Sequence, residues 1–287
     1  MAPTPPTVMT FAATDPSCGA GMQADILALA SIGCHPLSVI TGITVQDTVG
    51  VESVMALDAD WINDQARTIL EDVQISAFKL GLLGSVENVA VIAEIVADYP
   101  DIPLIIDPIL TSGRGDELTN DEMQAAMCEL LFPQATLITP NSLEARRLAY
   151  YDEGEEVRHT SLDDTAQRLL EMGCEYVLIT GTHERSTDVV NSLYGMQLSG
   201  INGLIKAYHW ERLAGSYHGS GCTLTSAIAA CLAHGLSMEE AVQEAQEYTW
   251  QTLKNAFRPG MGQFIPDRFF WAREEDDELD KAISLQH

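Results

Sequence analysis

Basic residues are what this sequence has least of for its size. Lys and Arg number 15 among 287 residues, against 42 Asp and Glu, which leaves a formal net charge of −27 at pH 7. A surface so acidic repels nucleic acid and anionic lipid, so neither is expected as a partner. It also denies any phosphate site a general positive field. Such a site has to use local donors, a metal ion and backbone amides. Cysteine pairing is absent too. Cys18, Cys34, Cys128, Cys174, Cys222 and Cys231 form no C-x-x-C pair and no spacing suited to zinc or a disulfide framework. Reduced thiols in a cytoplasmic protein are the expectation. The first residues, MAPTPPTVMTFAA, lack a basic n-region and a cleavage signature, so no signal peptide is expected. The longest apolar stretch, around Leu224 to Leu236, is too short and too rich in small polar residues to span a bilayer.

What is present is ordinary globular material: 46% hydrophobic and 7% aromatic residues, with no internal repeat and no low-complexity linker. A chain of this length buries roughly 75% of its unfolded surface and needs no staples. Short β-branched runs alternate with helical windows. Strands are predicted at Thr7–Ala12, Ser38–Thr44, Phe78–Leu82, Pro103–Ile106, Thr136–Thr139 and Tyr176–Thr180. Helices are predicted at Gly21–Ser31, Asp58–Val73, Val86–Ala97, Glu122–Leu131, Ser142–Leu148, Ser161–Met172, Thr223–Ala233 and Ser237–Asn255. Val189–Trp210 reads as less regular and strand-like, with Gly195, Gly200 and Gly203 as turn signals, and 273–280 as an acidic, solvated charge run. This alternation predicts an α/β fold with a central, mostly parallel sheet and helices on both faces. Such sheets bind ligands at the carboxyl ends of their strands. Polar and glycine-rich segments fall at those ends: Thr14–Gly21, Gln46–Gly50, Gly81–Ser85, Asp107–Gly115, Asn141–Glu144 and Gly181–His183.

The sharpest local signal is His218-Gly219-Ser220-Gly221-Cys222-Thr223, directly before an apolar helix. Glycines allow close approach of backbone to ligand, and the first amides of a helix are unsatisfied at the positive end of its dipole. That combination suits a transferring phosphoryl group. A cysteine there is expected to have a lowered pKa. The competing reading is a glycine turn with a buried structural cysteine. Asn141-x-x-Glu144 reads as a capping box at the start of a helix. Gln46 reads as an exposed polar residue at a strand end, its amide able both to donate and to accept. Asp25 by itself reads as a helix-surface acid.

Set side by side, these segments resemble the hydroxymethylpyrimidine/phosphomethylpyrimidine kinases of the ribokinase-like superfamily. HGSGCT stands where that family has H-G-T-G-C-T. Asp15-Pro16-Ser17-Cys18-Gly19-Ala20-Gly21-Met22-Gln23-Ala24-Asp25 resembles D-P-S-G-G-A-G-I-Q-A-D, and Val39–Thr48 resembles V-I-T-A-x-x-A-Q-N-T. Lys79–Leu83, Asp107–Leu110 and Thr139–Ala145 match K-I-G-M-L, D-P-V-M and T-P-N-x-x-E-A. The six matches run in family order over about residues 8 to 257. The resemblance implies one ribokinase-like domain over the whole chain with an acidic C-terminal extension. It implies ATP and magnesium as cofactors, a small pyrimidine as substrate, and a homodimer. Cys222 becomes the candidate base, with Gly219, Ser220 and Gly221 as the anion turn. Gln46, Asp25, Ala13, Ala20 and Leu82 are implied at the substrate. Asp107, Asn141, Thr180, Gly181 and Arg114 are implied at nucleotide or phosphate, and Glu144 at magnesium through water. The implied reaction phosphorylates the hydroxymethyl group of 4-amino-5-hydroxymethyl-2-methylpyrimidine and also its monophosphate. Pyridoxal kinase and a non-catalytic vitamin sensor of the same fold are the alternatives. Departures from the family pattern are Ala13 and Cys18 in place of glycines, and Thr180-Gly181-Thr182-His183 where the family has K-G-G-H. Arg114 is the candidate to supply the missing cation.

Overall fold

The computed structural model describes residues 4–151, 160–184, 186–197 and 200–273. Nine strands form one sheet in the order β3-β2-β1-β4-β5-β6-β7-β8-β9. They are β1 (Thr7–Thr14), β2 (His35–Gln46), β3 (Val51–Ala56), β4 (Ala77–Leu80), β5 (Leu104–Ile106), β6 (Leu137–Ile138), β7 (Tyr176–Ile179), β8 (Asp188–Met196) and β9 (Asn202–Glu211). Strands β2, β1 and β4 to β7 run parallel. β3 at one edge and the β8–β9 hairpin at the other are antiparallel. The helices are α1 (Gly21–Ser31), α2 (Ala59–Leu70), α3 (Val86–Ala97), α4 (Asp121–Ala126), α5 (Ser142–Ala149), α6 (Leu162–Glu171), α7 (Ser220–Ala233) and α8 (Met238–Lys254).

The two-residue alternation of side chains along a strand produces two cores. Met9, Phe78, Ile106, Ile138 and Val177 pack with α2 through α6 on one face. Their neighbours Val8, Ala77, Ile105, Leu137 and Leu178 pack with α1, α7 and α8 on the other. Helices therefore cover both faces of a mostly parallel sheet, as the alternation predicts.

Three elements differ from the sequence expectation. β3 was not anticipated. Asp47 Oδ1 accepts from the amides of Val49 (2.7 Å) and Gly50 (3.1 Å), which closes a side-chain turn and sends the chain back along β2. The irregular 189–210 region is a regular hairpin. The helix expected at 122–131 is α-helical only to Ala126, continuing as a π turn over Met127–Leu131 and a 3₁₀ turn over Phe132–Gln134. The charge run from 274 onward lies outside the described residues.

Candidate active site

Strand ends and helix starts converge on one cavity of about 970 Å³. Ala13 from the end of β1, Thr44 and Gln46 from the end of β2, and Leu82 after β4 line one side, joined by Ala20 at the start of α1. Asp107, Asn141, Thr180 and the first turn of α7 line the middle. Trp210, Trp250 and Leu253 line the far side, under the β8–β9 hairpin. Arg114 reaches in from an exposed loop.

Of the residues the sequence points to, two fall elsewhere. Asp25 does not line the cavity. It is fully buried beneath it, accepting from Lys79 Nζ (2.8 Å to each oxygen), Thr10 Oγ1 (2.7 Å) and Ser226 Oγ (2.8 Å). A carboxylate held by four hydrogen bonds from three such donors is a structural anchor between β1, β4 and α7. Gly181 is also turned away from the cavity. Its amide donates to Asn191 Oδ1 (3.0 Å), and a Cβ built on it would lie 2.1 Å from the Val190 carbonyl oxygen.

The anion turn is built by backbone geometry. Helix α7 starts at Ser220, three residues earlier than the sequence pattern indicates, so Gly219 is its N-cap and Cys222 sits inside its first turn. Gly219 has φ +83°, and a Cβ there would come within 1.8 Å of the Gly19 carbonyl oxygen. Only glycine satisfies both constraints. The amides of Ser220, Gly221 and Cys222 have no acceptor within the helix. The loop beneath, Asp15–Ala20, is folded around one buried carboxylate. Asp15 accepts from the amides of Ser17 (2.8 Å) and Ala20 (2.7 Å) and bonds His218 Nε2 at 2.8 Å. Burial works to raise the Asp15 pKa, but these donors overcome it and hold the group below its ordinary value. Cys18 stands at φ +59°, which accounts for the glycine that the family pattern has there.

Behind the turn lies a charged cluster. Lys79 is fully buried; burial alone would lower its pKa, but Asp25, Cys222 and Asp107 hold it above the usual value. Asp107 is pushed up to about 6, burial outweighing the nearby Lys79 charge. Glu144 is pushed up to about 8 by burial and by Asp107. The Cys222 thiol is pushed up to about 12 by burial, despite Lys79. That corrects the expectation of a lowered thiol pKa, because removal from water outweighs the nearby Lys79 charge. Glu144 also caps α5. Asn141 Oδ1 accepts from the amides of Leu143 (2.9 Å) and Glu144 (3.0 Å), and Glu144 Oε2 accepts from Asn141 N (3.0 Å). The box is complete, and the same carboxylate faces the cavity.

Sequence reasoning left Asp15, His218, Lys79 and Arg268 without a role. The first three lie inside the matched segments. Arg268 lies beyond them and gave no signal at all.

A sequence model of the phosphomethylpyrimidine kinase family matches residues 15–267. The chain belongs to this family. It is a kinase, a phosphotransferase. The hydroxymethylpyrimidine/phosphomethylpyrimidine kinase of Mycobacterium tuberculosis (strain ATCC 25618 / H37Rv) is 35% identical over 262 residues, covering 90% of this chain and 92% of that protein. Among solved structures, the phosphomethylpyrimidine kinase of Clostridium difficile 630 superposes with a TM-score of 0.72 at 32% identity, covering 86% of this chain and 99% of that one. The pyridoxal kinase of Staphylococcus aureus in complex with ADP superposes with a TM-score of 0.82 at 27% identity, covering 94% and 96%.

Proposed function

We propose that this kinase transfers the γ-phosphoryl group of ATP to the hydroxymethyl group of 4-amino-5-hydroxymethyl-2-methylpyrimidine and then to the resulting monophosphate, in thiamin biosynthesis. The observation that carries the reading is the placement of Gln46 and the anion turn on one cavity. Gln46 Nε2 donates to Thr44 Oγ1 (2.7 Å), which in turn donates to the Thr14 carbonyl (2.7 Å), so the amide is oriented before a substrate arrives. An amide offers an aminopyrimidine a donor and an acceptor.

Cys222 takes part in removing the hydroxyl proton. Since its thiol is protonated near neutral pH, the proton passes on to Asp107, whose carboxylate lies close enough to act on it. One S–H bond breaks toward Asp107 as another forms from the substrate hydroxyl. The loose transition state of phosphoryl transfer demands little proton removal until late, so a weak relay is adequate. The amides of Gly219, Ser220, Gly221 and Cys222 hold the transferring group. The buried carboxylate of Glu144, whose proton affinity burial and Asp107 raise, would hold a hydrated magnesium ion, which would supply charge neutralisation for the phosphates. Asn141, Thr180 and Arg114 face the nucleotide phosphates.

The deciding experiment is a kinase assay across hydroxymethylpyrimidine, its monophosphate and pyridoxal. The close superposition on pyridoxal kinase makes pyridoxal the second candidate. A preference for pyridoxal, measured as the larger kcat/KM, overturns the pyrimidine reading and leaves the kinase. A homodimer is supported by Ile43, Val45 and Met55, exposed on the face of the β2–β3 hairpin opposite Thr44 and Gln46. Val45→Lys should leave a monomer in sedimentation analysis. All six thiols are free, which supports a reducing, cytoplasmic setting. Among the described residues no helix is long and apolar enough to cross a membrane.

A further inference from the structure

After α8 the chain forms a strap that touches both halves of the site. Phe257 and Ile265 pair across its own turn. Gln263 N donates to the Thr48 carbonyl (2.8 Å) and Gly262 N to Thr48 Oγ1 (3.1 Å), two residues beyond Gln46. Phe264 then pairs with the segment leading into the anion turn: its amide donates to the Ser216 carbonyl (2.9 Å), and its carbonyl accepts from His218 N (2.8 Å). The strap thus spans from the loop beside Gln46 to the residue before Gly219.

At its end Arg268 turns inward and is only 3% exposed. Its Nε donates to Thr223 Oγ1 (3.0 Å), Nη2 to the Gly19 carbonyl (2.6 Å) and Nη1 to the Cys18 carbonyl (3.3 Å). The Thr223 hydroxyl donates to the Gly219 carbonyl at 2.8 Å, and Gly19 O is the atom against which Gly219 is packed. One guanidinium therefore bonds both loops that shape the anion turn, a geometry suited to its rigid fork. Its backbone carbonyl is pinned by Ser31 Oγ (2.6 Å) and Tyr248 OH (3.0 Å). All three acceptors of the side chain are neutral oxygens, and among the described residues no carboxylate bonds to it. Burying a cation that no carboxylate bonds is costly: burial holds the guanidinium below its ordinary pKa, and Asp25 and Asp15 act on it only through space. In a molecule of charge −27 this cation lies behind the phosphate turn, outside the lining of the cavity, and reaches the turn through Thr223 and Gly19.

We propose that Arg268 is a positioning residue for phosphoryl transfer: through Gly19 and Thr223 it fixes the anion turn, and its charge balances the incoming γ-phosphoryl group. This rests on the kinase reading but not on the identity of the alcohol. The test compares Arg268→Met and Arg268→Lys in the full chain, with circular dichroism to confirm folding. Arg268→Met is expected to lower kcat by about 100-fold, the scale of a lost oxyanion donor, with the KM for hydroxymethylpyrimidine within about threefold. In calorimetry with magnesium, its affinity for AMP-PCP should fall at least about tenfold more than its affinity for ADP. Arg268→Lys, which keeps the charge, should return kcat to within about tenfold of the parent. A kcat within about threefold in Arg268→Met, equal losses for AMP-PCP and ADP, or no rescue by lysine overturns the proposal. Should Arg268→Met not fold, Arg268→Gln replaces it under the same criteria. The AMP-PCP measurement involves no pyrimidine, so a parent enzyme inactive on hydroxymethylpyrimidine would sink the substrate reading and leave this one to be judged separately.

Discussion

Two glycines two residues apart in the anion turn face different constraints, and the difference is measurable. Gly219 is at φ +83° against backbone, so Gly219→Ala forces the Gly19 loop apart and should destabilise the fold as well as abolish turnover. Gly221 has no left-handed backbone, and a Cβ there meets only the Asp107 carboxylate, Oδ2 at 3.6 Å and Oδ1 at 3.8 Å. Gly221→Ala should therefore melt close to the parent while losing most of its kcat, because the methyl occupies space needed beside the phosphoryl group. Equal melting losses in the two variants would show that the turn is rigid for other reasons. The acid beside that turn sets a second expectation. With Asp107 near 6, the relay needs its ionised form, which is lost as pH falls through that value. kcat/KM should drop about tenfold per pH unit well below 6. Asp107→Asn should be slow at every pH and lack that limb; retention of the limb would assign it to another group.

At the scale of elements, the start of α5 does two jobs with one carboxylate. Glu144 closes a capping box and, at about 8, holds a proton more tightly folded than unfolded, because burial and Asp107 disfavour its charge. A folded-state pKa above the unfolded one means that the native state binds more protons between the two values. Stability without ligand should therefore fall as pH rises from about 4.5 to about 8, then level. Glu144→Gln should flatten that slope in thermal melts, keep the capping box, which glutamine also closes, and raise the magnesium concentration for half-maximal rate. An unchanged magnesium dependence would leave Glu144 as a cap alone. The box itself is legible in Asn141-x-x-Glu144. That the helix delivers the same carboxylate to the cavity is not, because orientation depends on the packing of Ala145 and Leu148 into the core.

For the whole molecule, the charge of −27 should show as salt-dependent stability. Raising KCl from 0.05 to 0.5 M shortens the screening length from about 14 Å to about 4 Å and weakens self-repulsion. Surface pairs such as Arg146–Glu184 (2.9 Å) are weakened as well, but exposed pairs contribute only about 0–1 kcal/mol each. Repulsion dominates, so the melting temperature should rise with salt. A flat or falling response would mean that the acidic residues are already spaced far enough apart.

What the sequence determines by itself is local or periodic. Strand and helix alternation follows from which faces are apolar, and the parallel centre of the sheet follows from that alternation. HGSGCT, N-x-x-E and the Gln46 strand end are short enough for their chemistry to be read from neighbouring residues. The tertiary structure decides whatever joins distant segments or depends on exclusion of water. Asp25 reads as a surface acid, yet it is buried because Lys79, 54 residues away, pairs with it. Cys222 reads as a thiolate until the depth of α7 shows that it is out of water, with its pKa up at about 12. Arg268 reads as one basic residue near an acidic tail. It gains meaning when the chain, 249 residues after Gly19, returns to bond that carbonyl. Such contacts carry no sequence periodicity, because chain separation and spatial distance are independent, and burial, which sets the cost of each charge, is fixed only once the whole sheet is closed on both faces.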